Sequence, residues 1–373
     1  MRRLWGALLA AWLVAGCGGQ RDRFVERMAA ADRAKSSGRY DEAASAYGDA
    51  ARDAKKPRDR DEALYLQAAT YAQAGRAEEA KRALEALATL SPRGERADRA
   101  LFDRAELEIQ TGDEEKGYAM LESAVLSRPT LFARRALRQV VDRAEEKAKG
   151  GALAWLRSQG KRLAGTELAE DVDYLTAMRL EESGDLAAAR DAFVACAKAH
   201  PYPKGSLFDD AWYRAALLDV RLSQPKLAIE HLRAMLASRE SSTLGQGSYE
   251  RPRYAAAQLE IAKIARDQLQ DRAMARREFH RLFTDHQTSV LRDDALFEEI
   301  LLARSDRDER ATCELTRTLV EVLPESRYSA CSHELCEKIA PPKGAMPCRD
   351  YVKARIEGRP VPPDEGAALP DAG

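Results

Sequence analysis

The sequence predicts an all-α protein, a solenoid of about eight antiparallel helix pairs, and three observations lead to that fold class. Its 373 residues are rich in Ala, Arg, Glu and Leu, which are among the strongest helix formers. Stretches rich in Val, Ile and Thr, which would indicate strands, are almost absent. A short motif recurs along the chain at nearly constant spacing, as it does in repeat proteins.

The charge composition excludes two classes of protein. The 60 Lys and Arg residues are balanced by 61 Asp and Glu residues, whereas a nucleic-acid-binding domain carries a clearly basic face. A charged fraction of 32% is too high for a protein with several membrane spans. We therefore expect no nucleic-acid partner and no multi-span domain.

The first seventeen residues have the pattern of an export signal rather than of a folded element. A basic start, Met1-Arg2-Arg3, precedes an apolar run over residues 4–15, which is too short to span a bilayer as a helix. The run ends in Val14-Ala15-Gly16-Cys17, which resembles the bacterial lipoprotein box, although that box more often has Leu where Val14 stands. The alternative is an ordinary signal peptide with a chance cysteine.

The lipoprotein resemblance implies that residues 1–16 are removed, that Cys17 becomes the acylated N-terminus, and that residues 17–23 form a tether. More than one acyl chain is needed for stable anchoring, so the resemblance implies a multiply acylated cysteine. In enteric bacteria, Gly18 after the cysteine would direct the protein to the outer membrane. We expect a lipid-anchored protein on the periplasmic face of the outer membrane.

The recurring motif is a charged residue, Ala, a large apolar residue and an aromatic ring. It occurs as Glu62-Ala63-Leu64-Tyr65, Arg99-Ala100-Leu101-Phe102, Asp210-Ala211-Trp212-Tyr213 and Asp294-Ala295-Leu296-Phe297. The chain reaches a proline 27 residues after three of these aromatics, at Pro92, Pro129 and Pro324, and Tyr174 to Pro201 keeps the same interval. Such fixed spacing predicts one supersecondary unit repeated along the chain.

The residues between each motif and its proline predict a second helix packed closely on the first. A turn residue is followed by a small residue and then by a large one, as in Gly75, Ala80 and Leu84 or in Gly184, Ala189 and Phe193. Glycine or a polar residue turns the chain, only Ala or Gly fits where the two helices cross, and proline cannot continue a helix interior.

This unit resembles the tetratricopeptide repeat, a helix-turn-helix unit of 34 residues. The match covers Leu64, Tyr71, Gly75, Ala80, Leu84 and Pro92 in the second pair, and Gly184, Ala189, Phe193 and Pro201 in a later one. Several first-helix glycines of the family are replaced here by Ala68, Ala105, Ala177 and Ala216.

Eight pairs are predicted to begin near Phe24, Asp61, Asp98, Arg134, Glu170, Asp209, Ala256 and Asp293. Together they form a repeat array over residues 24–340. The fourth pair lacks the aromatic and turns at Gly150-Gly151. An insertion over residues 238–253 is predicted to be a surface loop. Residues 341–373 hold seven of the fifteen prolines and are expected to be a largely disordered tail.

Catalytic motifs are missing from the sequence. It contains no P-loop, no G-x-S-x-G elbow and no H-E-x-x-H helix. The five histidines, His200, His231, His280, His286 and His333, are expected at the surface or at helix caps. We expect no enzyme, no cofactor, no metal and no small-molecule substrate; a hidden enzyme would need paired acids that converge in the groove.

Two functions remain open. Phrases such as those around Phe193 to Ser206 and Phe279 to Ser289 are similar to outer-membrane tetratricopeptide lipoproteins of the β-barrel assembly machinery and to Tol-Pal coordinators. That resemblance implies a protein-binding scaffold that helps to assemble or hold an envelope complex. The alternative is a regulator that activates a cell-wall enzyme.

The resemblance also indicates where a protein or peptide partner would bind. In the family, the fifth position of each unit points into the concave groove, and here that position holds Tyr65, Phe102, Tyr174, Tyr213 and Phe297. Large aromatics supply much apolar contact area at low entropy cost. The alternative is that these rings fill the core between neighbouring pairs.

Four of the five remaining cysteines lie close together near the C-terminus, in a protein that is predicted to be exported. The turn near Pro324 should place Cys313 opposite Cys336, which leaves Cys331 to meet Cys348. A zinc site is the competing interpretation, although no C-x-x-C pair is present. Cys196 is expected to be a buried thiol.

Overall fold

The computed structural model describes residues 22–238, 242–244, 247–249 and 252–360, so the predicted signal and the lipidation site Cys17 lie outside the described residues. The chain divides into two compact units, Met1–Val172 and Asp173–Gly373. In both units the described chain is dominated by antiparallel helix pairs, which confirms the predicted fold class.

The helices of the first unit form four pairs. They are α1 (Arg23–Ser36) with α2 (Tyr40–Asp53), α3 (Pro57–Gln73) with α4 (Ala77–Leu90), α5 (Glu95–Gln110) with α6 (Glu114–Ser127), and α7 (Arg134–Lys147) with α8 (Gly151–Leu163). A 3-10 turn, Leu131–Ala133, precedes α7. Helix α9 (Ala169–Glu182) begins at the end of this unit and continues into the second.

The second unit continues the same pattern. Its helices are α10 (Leu186–Ala199), α11 (Phe208–Arg221), α12 (Pro225–Ala237), α13 (Pro252–Asp267), α14 (Arg272–Asp285), α15 (Arg292–Ser305) and α16 (Glu309–Val322). With α9 they give pairs five to eight. The predicted starts agree with these bounds within four residues, the largest differences being Pro57 against Asp61 and Pro252 against Ala256.

The turn inside each pair needs a residue in the left-handed region. Glycine takes this role in the first five pairs, for example Gly75 with φ 75° and Gly184 with φ 86°. The last three pairs use Ser223, Gln270 and Arg307, with φ between 54° and 60°. Because Cβ disfavours this conformation, the polar residues there carry some strain that glycine avoids.

Short side-chain bonds fix how one pair leads to the next. The Ser91 hydroxyl, in the connection after α4, donates to Asp61 at the start of α3 at 2.7 Å. The Ser326 hydroxyl donates in the same way to Asp293 at the start of α15 at 2.8 Å. Each aspartate therefore ties the end of its own pair back to the beginning.

The insertion between α12 and α13, predicted to be a surface loop, includes two short strands. It contains an antiparallel hairpin of β1 (Ser242–Leu244) and β2 (Gly247–Tyr249), with Ser242 opposite Tyr249. The other residues between Ser238 and Pro252 lie outside the described residues. Within the part of the chain that the structure describes, no helix combines the length and apolarity needed to cross a membrane.

The end of the array is closed by a disulfide-bonded segment. A 3-10 turn (Ser329–Cys331), α17 (Ser332–Leu335) and α18 (Asp350–Ile356) follow α16. The disulfides are Cys313–Cys336 and Cys331–Cys348, the pairing that the sequence predicted, with Cα–Cα distances of 5.3 and 4.7 Å. Cys196 is buried and belongs to neither.

The prediction of a disordered tail from residue 341 is wrong for residues 341–360. Cys348, Val352, Ala354 and Ile356 are buried there, and Val352 packs in one apolar cluster with Phe297 and Tyr328. The proline content indicated disorder. The disulfide Cys331–Cys348 and the buried side chains of α18 instead hold residues 341–360 against α15 and α16. Residues 361–373 lie outside the described residues.

Candidate protein-binding surface

The structure places the five predicted groove aromatics between helices rather than on an open surface. Four rings are buried, and that of Tyr213 is partly buried. They lie on α3, α5, α9, α11 and α15, the first helices of their pairs. This position matches the alternative that they fill the core, although partner binding itself stays a prediction.

Tyr65 connects the second pair to the third. Its hydroxyl donates to Asp103 on α5 at 2.7 Å, and the guanidinium groups of Arg96 and Arg99 lie 4.9 and 5.4 Å from its ring centre. Burial, followed by the hydrogen bond to Asp103, raises the pKa of Tyr65 to about 12. The ring therefore acts as a neutral, fixed contact between neighbouring first helices.

Tyr174 repeats the arrangement in the second unit. Its hydroxyl donates to Asp210 on α11, its ring meets Phe193 edge-on at 5.4 Å, and Arg214 lies 5.9 Å from the ring centre. Burial is the main cause that raises its pKa. The same combination of a tyrosine, an aspartate that accepts from its hydroxyl and an arginine near its ring therefore occurs at two junctions between pairs.

Tyr213 and Phe297 show variants of the same junction. The guanidinium group of Arg253, at the start of α13, lies 5.4 Å from the centre of the Tyr213 ring. Burial raises the pKa of the Tyr213 hydroxyl to about 12. Phe297 has no hydroxyl and stacks on Tyr328 with ring centres 4.0 Å apart, while Arg355 of α18 covers it at 5.0 Å. At both junctions, side chains from the element that follows the pair cover the aromatic ring.

A cavity of about 300 Å³ opens beside Phe102 in the first unit. It lies between the first helices of the third and fourth pairs. Its lining residues are Arg99, Phe102, Asp103, Glu106, Phe132, Arg135 and Ala136. We call it the α5–α7 cavity. Of the predicted aromatics, only Phe102 lines it.

Two large apolar side chains are exposed at or next to the α5–α7 cavity: Phe132 lines it, and Leu131 precedes Phe132 in the chain. Phe132 is 67% exposed and Leu131, its neighbour in the 3-10 turn, is 56% exposed. Both belong to the connection before the degenerate fourth pair, which is not one of the repeat positions used to predict the binding residues. The occurrence of two adjacent bulky apolar residues in a connection could have identified them from the sequence.

Paired charges flank this apolar rim. Arg99 lies 3.7 Å from Asp103, and Arg135 lies 3.5 Å from Glu106. In both pairs the arginine is the more exposed partner, so the guanidinium groups are the more accessible of the two charges. A pocket with an aromatic wall and arginines at its edge suits a peptide with a bulky apolar side chain near acidic groups.

Four of the five histidines make ion pairs or lie at helix C-caps. Three of them pair with carboxylates: His200 with Asp173 at 2.8 Å, His231 with Asp219 at 2.6 Å and His280 with Glu299 at 3.0 Å. His200 and His286 also cap α10 and α14. Among the described residues, no group of three or more His, Cys, Asp or Glu side chains is placed to hold a metal ion.

No protein-family model and no curated protein matches this sequence. Solved structures do show similarity. The C-terminal part of a tetratricopeptide-repeat-containing protein from Cytophaga hutchinsonii is 12% identical, over 72% of this chain and 98% of that one, with a TM-score of 0.41. A tetratricopeptide repeat protein from Parabacteroides merdae is 14% identical, over 70% and 92%, with a TM-score of 0.33. PilF of Pseudomonas aeruginosa is 17% identical, over 73% and 96%, with a TM-score of 0.29.

Proposed function

We propose that this chain is a lipid-anchored, periplasmic protein-binding scaffold that helps to assemble or hold an envelope complex. The observation that carries the binding role is the exposed Phe132 at the α5–α7 cavity, together with its exposed neighbour Leu131. An isolated exposed Leu is ordinary, but two adjacent bulky side chains beside a cavity are typical of an interaction site. The partner inserts an apolar side chain against Phe132.

Two features support export and anchoring. The cysteines of the terminal segment stand at disulfide distance in two pairs, and such bonds persist in oxidising compartments outside the cytosol. The sequence before Cys17 has the basic start, the short apolar run and the small residues of a lipoprotein signal. Periplasmic location and acylation of Cys17 follow as parts of the proposal.

The binding surface is tested by crosslinking in cells followed by purification and mass spectrometry. Replacing Leu131 and Phe132 by Ala should remove the main crosslinked partner, because the apolar anchor is lost. The matched control is Val290→Ala, since Val290 is also highly exposed but lies far along the chain. Both variants should change the free energy of unfolding by less than about 0.5 kcal/mol.

The identity of the captured partner separates the two functions. Components of β-barrel assembly or of the Tol-Pal system support the scaffold, whereas peptidoglycan synthases would replace it by enzyme activation. An unchanged set of partners in the Leu131 and Phe132 variant would contradict the proposed surface.

Anchoring is tested at the N-terminus. Cys17→Ala should leave the precursor unprocessed or move the protein out of the membrane fraction, because no acyl chain can be attached. Cys196→Ala is the control, since that thiol is buried within the array. Normal processing and membrane retention of the Cys17 variant would rule out the lipid anchor.

A further inference from the structure

A second cavity, of about 410 Å³, lies in the other unit, around the seventh pair. It is formed by the end of α12 and by facing sides of α13 and α14. Its lining residues are Arg233, Leu236, Ala237, Gln258, Ile261, Glu278, Arg281, Asp285 and His286. We call it the α12–α14 cavity. Its size lies within the range of small-molecule sites.

A buried carboxylate forms the floor of the α12–α14 cavity. Glu278 is only 3% exposed. It accepts hydrogen bonds from Gln258 Nε2 at 2.8 Å, from Arg233 Nη2 at 3.1 Å and from Arg281 Nη1 at 3.3 Å. Burying a charge is expensive unless such partners surround it.

The repeat itself does not require polar groups at these positions. Gln258 stands at the third position of the recurring motif, which holds Leu64, Leu101, Trp212 and Leu296 in four other pairs and Asp173 in the fifth pair. Glu278 precedes the large residue of the second helix, a place taken by Ala46, Ala83, Met120 and Ala192 in four other pairs and by His231 in the sixth. In the seventh pair both facing positions are polar and are joined by a hydrogen bond, whereas the second and third pairs hold apolar residues at both.

The hydrogen bonds of Glu278 also determine whether the α12–α14 cavity favours a cationic or an anionic ligand. The two oxygens of Glu278 receive contacts from all three neighbours, so this carboxylate has little capacity left for a cation. Arg233 and Arg281 each use a single terminal nitrogen, and about half of each side chain remains exposed. Since each arginine uses one terminal nitrogen in these bonds, its other N–H donors are available to a ligand at this half-exposed position.

The two guanidinium groups are held close together by their shared partner. Both contact Glu278 Oε1, Arg233 at 3.1 Å and Arg281 at 3.4 Å. Asp285 at the rim is exposed and accepts a hydrogen bond from the Thr284 hydroxyl at 2.9 Å. Leu236, Ala237 and Ile261 supply apolar wall on the other side.

We propose that the α12–α14 cavity binds a small organic anion, a carboxylate or phosphate ester on a short apolar body. The anionic group bridges Arg233 and Arg281, whose planar forks match carboxylate and phosphate oxygens. The apolar body lies against Leu236 and Ile261. This ligand site is separate from the α5–α7 cavity and does not depend on the proposed scaffold function.

The proposal is tested by calorimetric titration of the purified protein with four probes. Hexanoate and hexyl phosphate carry the anion and the apolar body, hexylammonium reverses the charge, and inorganic phosphate lacks the body. Saturable binding of one equivalent of hexanoate or hexyl phosphate is expected. Hexylammonium should not bind, and inorganic phosphate should bind at least about tenfold more weakly, because it buries no apolar surface.

Variants locate the binding in the cavity. Arg233→Ala with Arg281→Ala should weaken binding by about tenfold or more. Gln258→Leu with Glu278→Ala introduces the side-chain types that the second pair has at these positions. It should weaken binding, because the two guanidinium groups lose the carboxylate that holds them side by side. Arg277→Ala, one exposed arginine on the same helix outside the lining, is the matched control and should bind as the parent does.

Three results would overturn the ligand site. They are the absence of saturable binding with both anionic amphiphiles, equal binding of hexylammonium, and undiminished binding in both double variants. If the Gln258 and Glu278 variant unfolds, the arginine variant decides, since its substitutions lie on half-exposed side chains.

Discussion

Tyr65 and Phe297 occupy the same repeat position, yet the chain covers them in different ways. Tyr65 is held by groups from the following pair: Asp103 binds its hydroxyl, and Arg96 and Arg99 cover its ring. Phe297 belongs to the last helix pair of the described residues. Tyr328 and Arg355, from the disulfide-bonded terminal segment, take that place.

The difference shows what a repeat needs at its end. An internal ring is buried because the next copy of the unit supplies the contacts, and each unit depends on its neighbours for its core. The terminal segment is too short to have a core of its own, so covalent bonds hold it: Cys331–Cys348 joins the 3-10 turn to the start of α18, and Cys313–Cys336 ties α17 to α16.

The largest expected effect comes from removing two internal rings. Tyr174→Ala with Tyr213→Ala should destabilise the second unit by more than about 4 kcal/mol, because both rings pack at junctions between first helices. Chemical denaturation followed by circular dichroism measures this. A variant that keeps its stability but loses its partner would show instead that these rings form a binding surface.

The terminal disulfides should matter less and more locally. Cys331→Ser with Cys348→Ser removes a bond that closes a loop with a sequence separation of 17. We expect a loss of about 3 kcal/mol, confined to the last pair and the terminal segment. Hydrogen exchange should show faster exchange in α15 to α18 and no change in α1 to α4.

Cys196→Ser is the control for that experiment, because Cys196 takes part in neither disulfide. Mass mapping of the unreduced protein should find Cys313 linked to Cys336. Equal loss of protection along the whole array would show that the segment does not act as a local cap.

The smallest effect concerns one hydroxyl. Tyr65→Phe keeps the ring and removes the bond to Asp103, which should cost about 1 kcal/mol. Because the pKa of Tyr65 rises from 10.0 to about 12 on folding, its protonated form is favoured in the folded state. The contribution of the Tyr65 hydroxyl to the free energy of unfolding is fully present below pH 10 and is lost as the pH rises toward 12.

Urea midpoints of parent and Tyr65→Phe protein between pH 8 and pH 11 test that sign. The parent should lose more stability than the variant as the pH passes about 10. Parallel curves would indicate that ionisation of Tyr65 is not coupled to folding, and the hydrogen bond to Asp103 would then contribute little.

Sequence reasoning worked best where a feature depends on a fixed interval along the chain. The spacing from Tyr65 to Pro92, the turn glycines and the small residues such as Ala80 predicted the pairs and their starts. The spacing and the turn residues are local geometric constraints that any copy of the unit must satisfy. The cysteine pairing was also predicted correctly, although the chain after Pro324 forms a 3-10 turn and the four-residue helix α17 instead of a second long helix.

The exposure of individual side chains could not be predicted in this way. The fifth-position rings are the same residue types whether they face a ligand or the next helix, and the neighbouring pair decides between the two. Phe132 is exposed and Tyr328 is buried, although both lie in connections between helices. When a connection differs from those of the other pairs, the repeat pattern gives no basis for predicting which of its side chains are buried.

The sequence by itself thus determined the helix pairs, their number and their turns, since these follow from chain geometry within one unit, and the spacing of the C-terminal cysteines also indicated which of them meet. Only the tertiary structure decided that the rings fill pair junctions, that residues 341–360 close the array, and that Gln258 and Glu278 face each other in a cavity. The physical reason is that burial is set by side chains from other helices, whose contacts depend on packing in three dimensions.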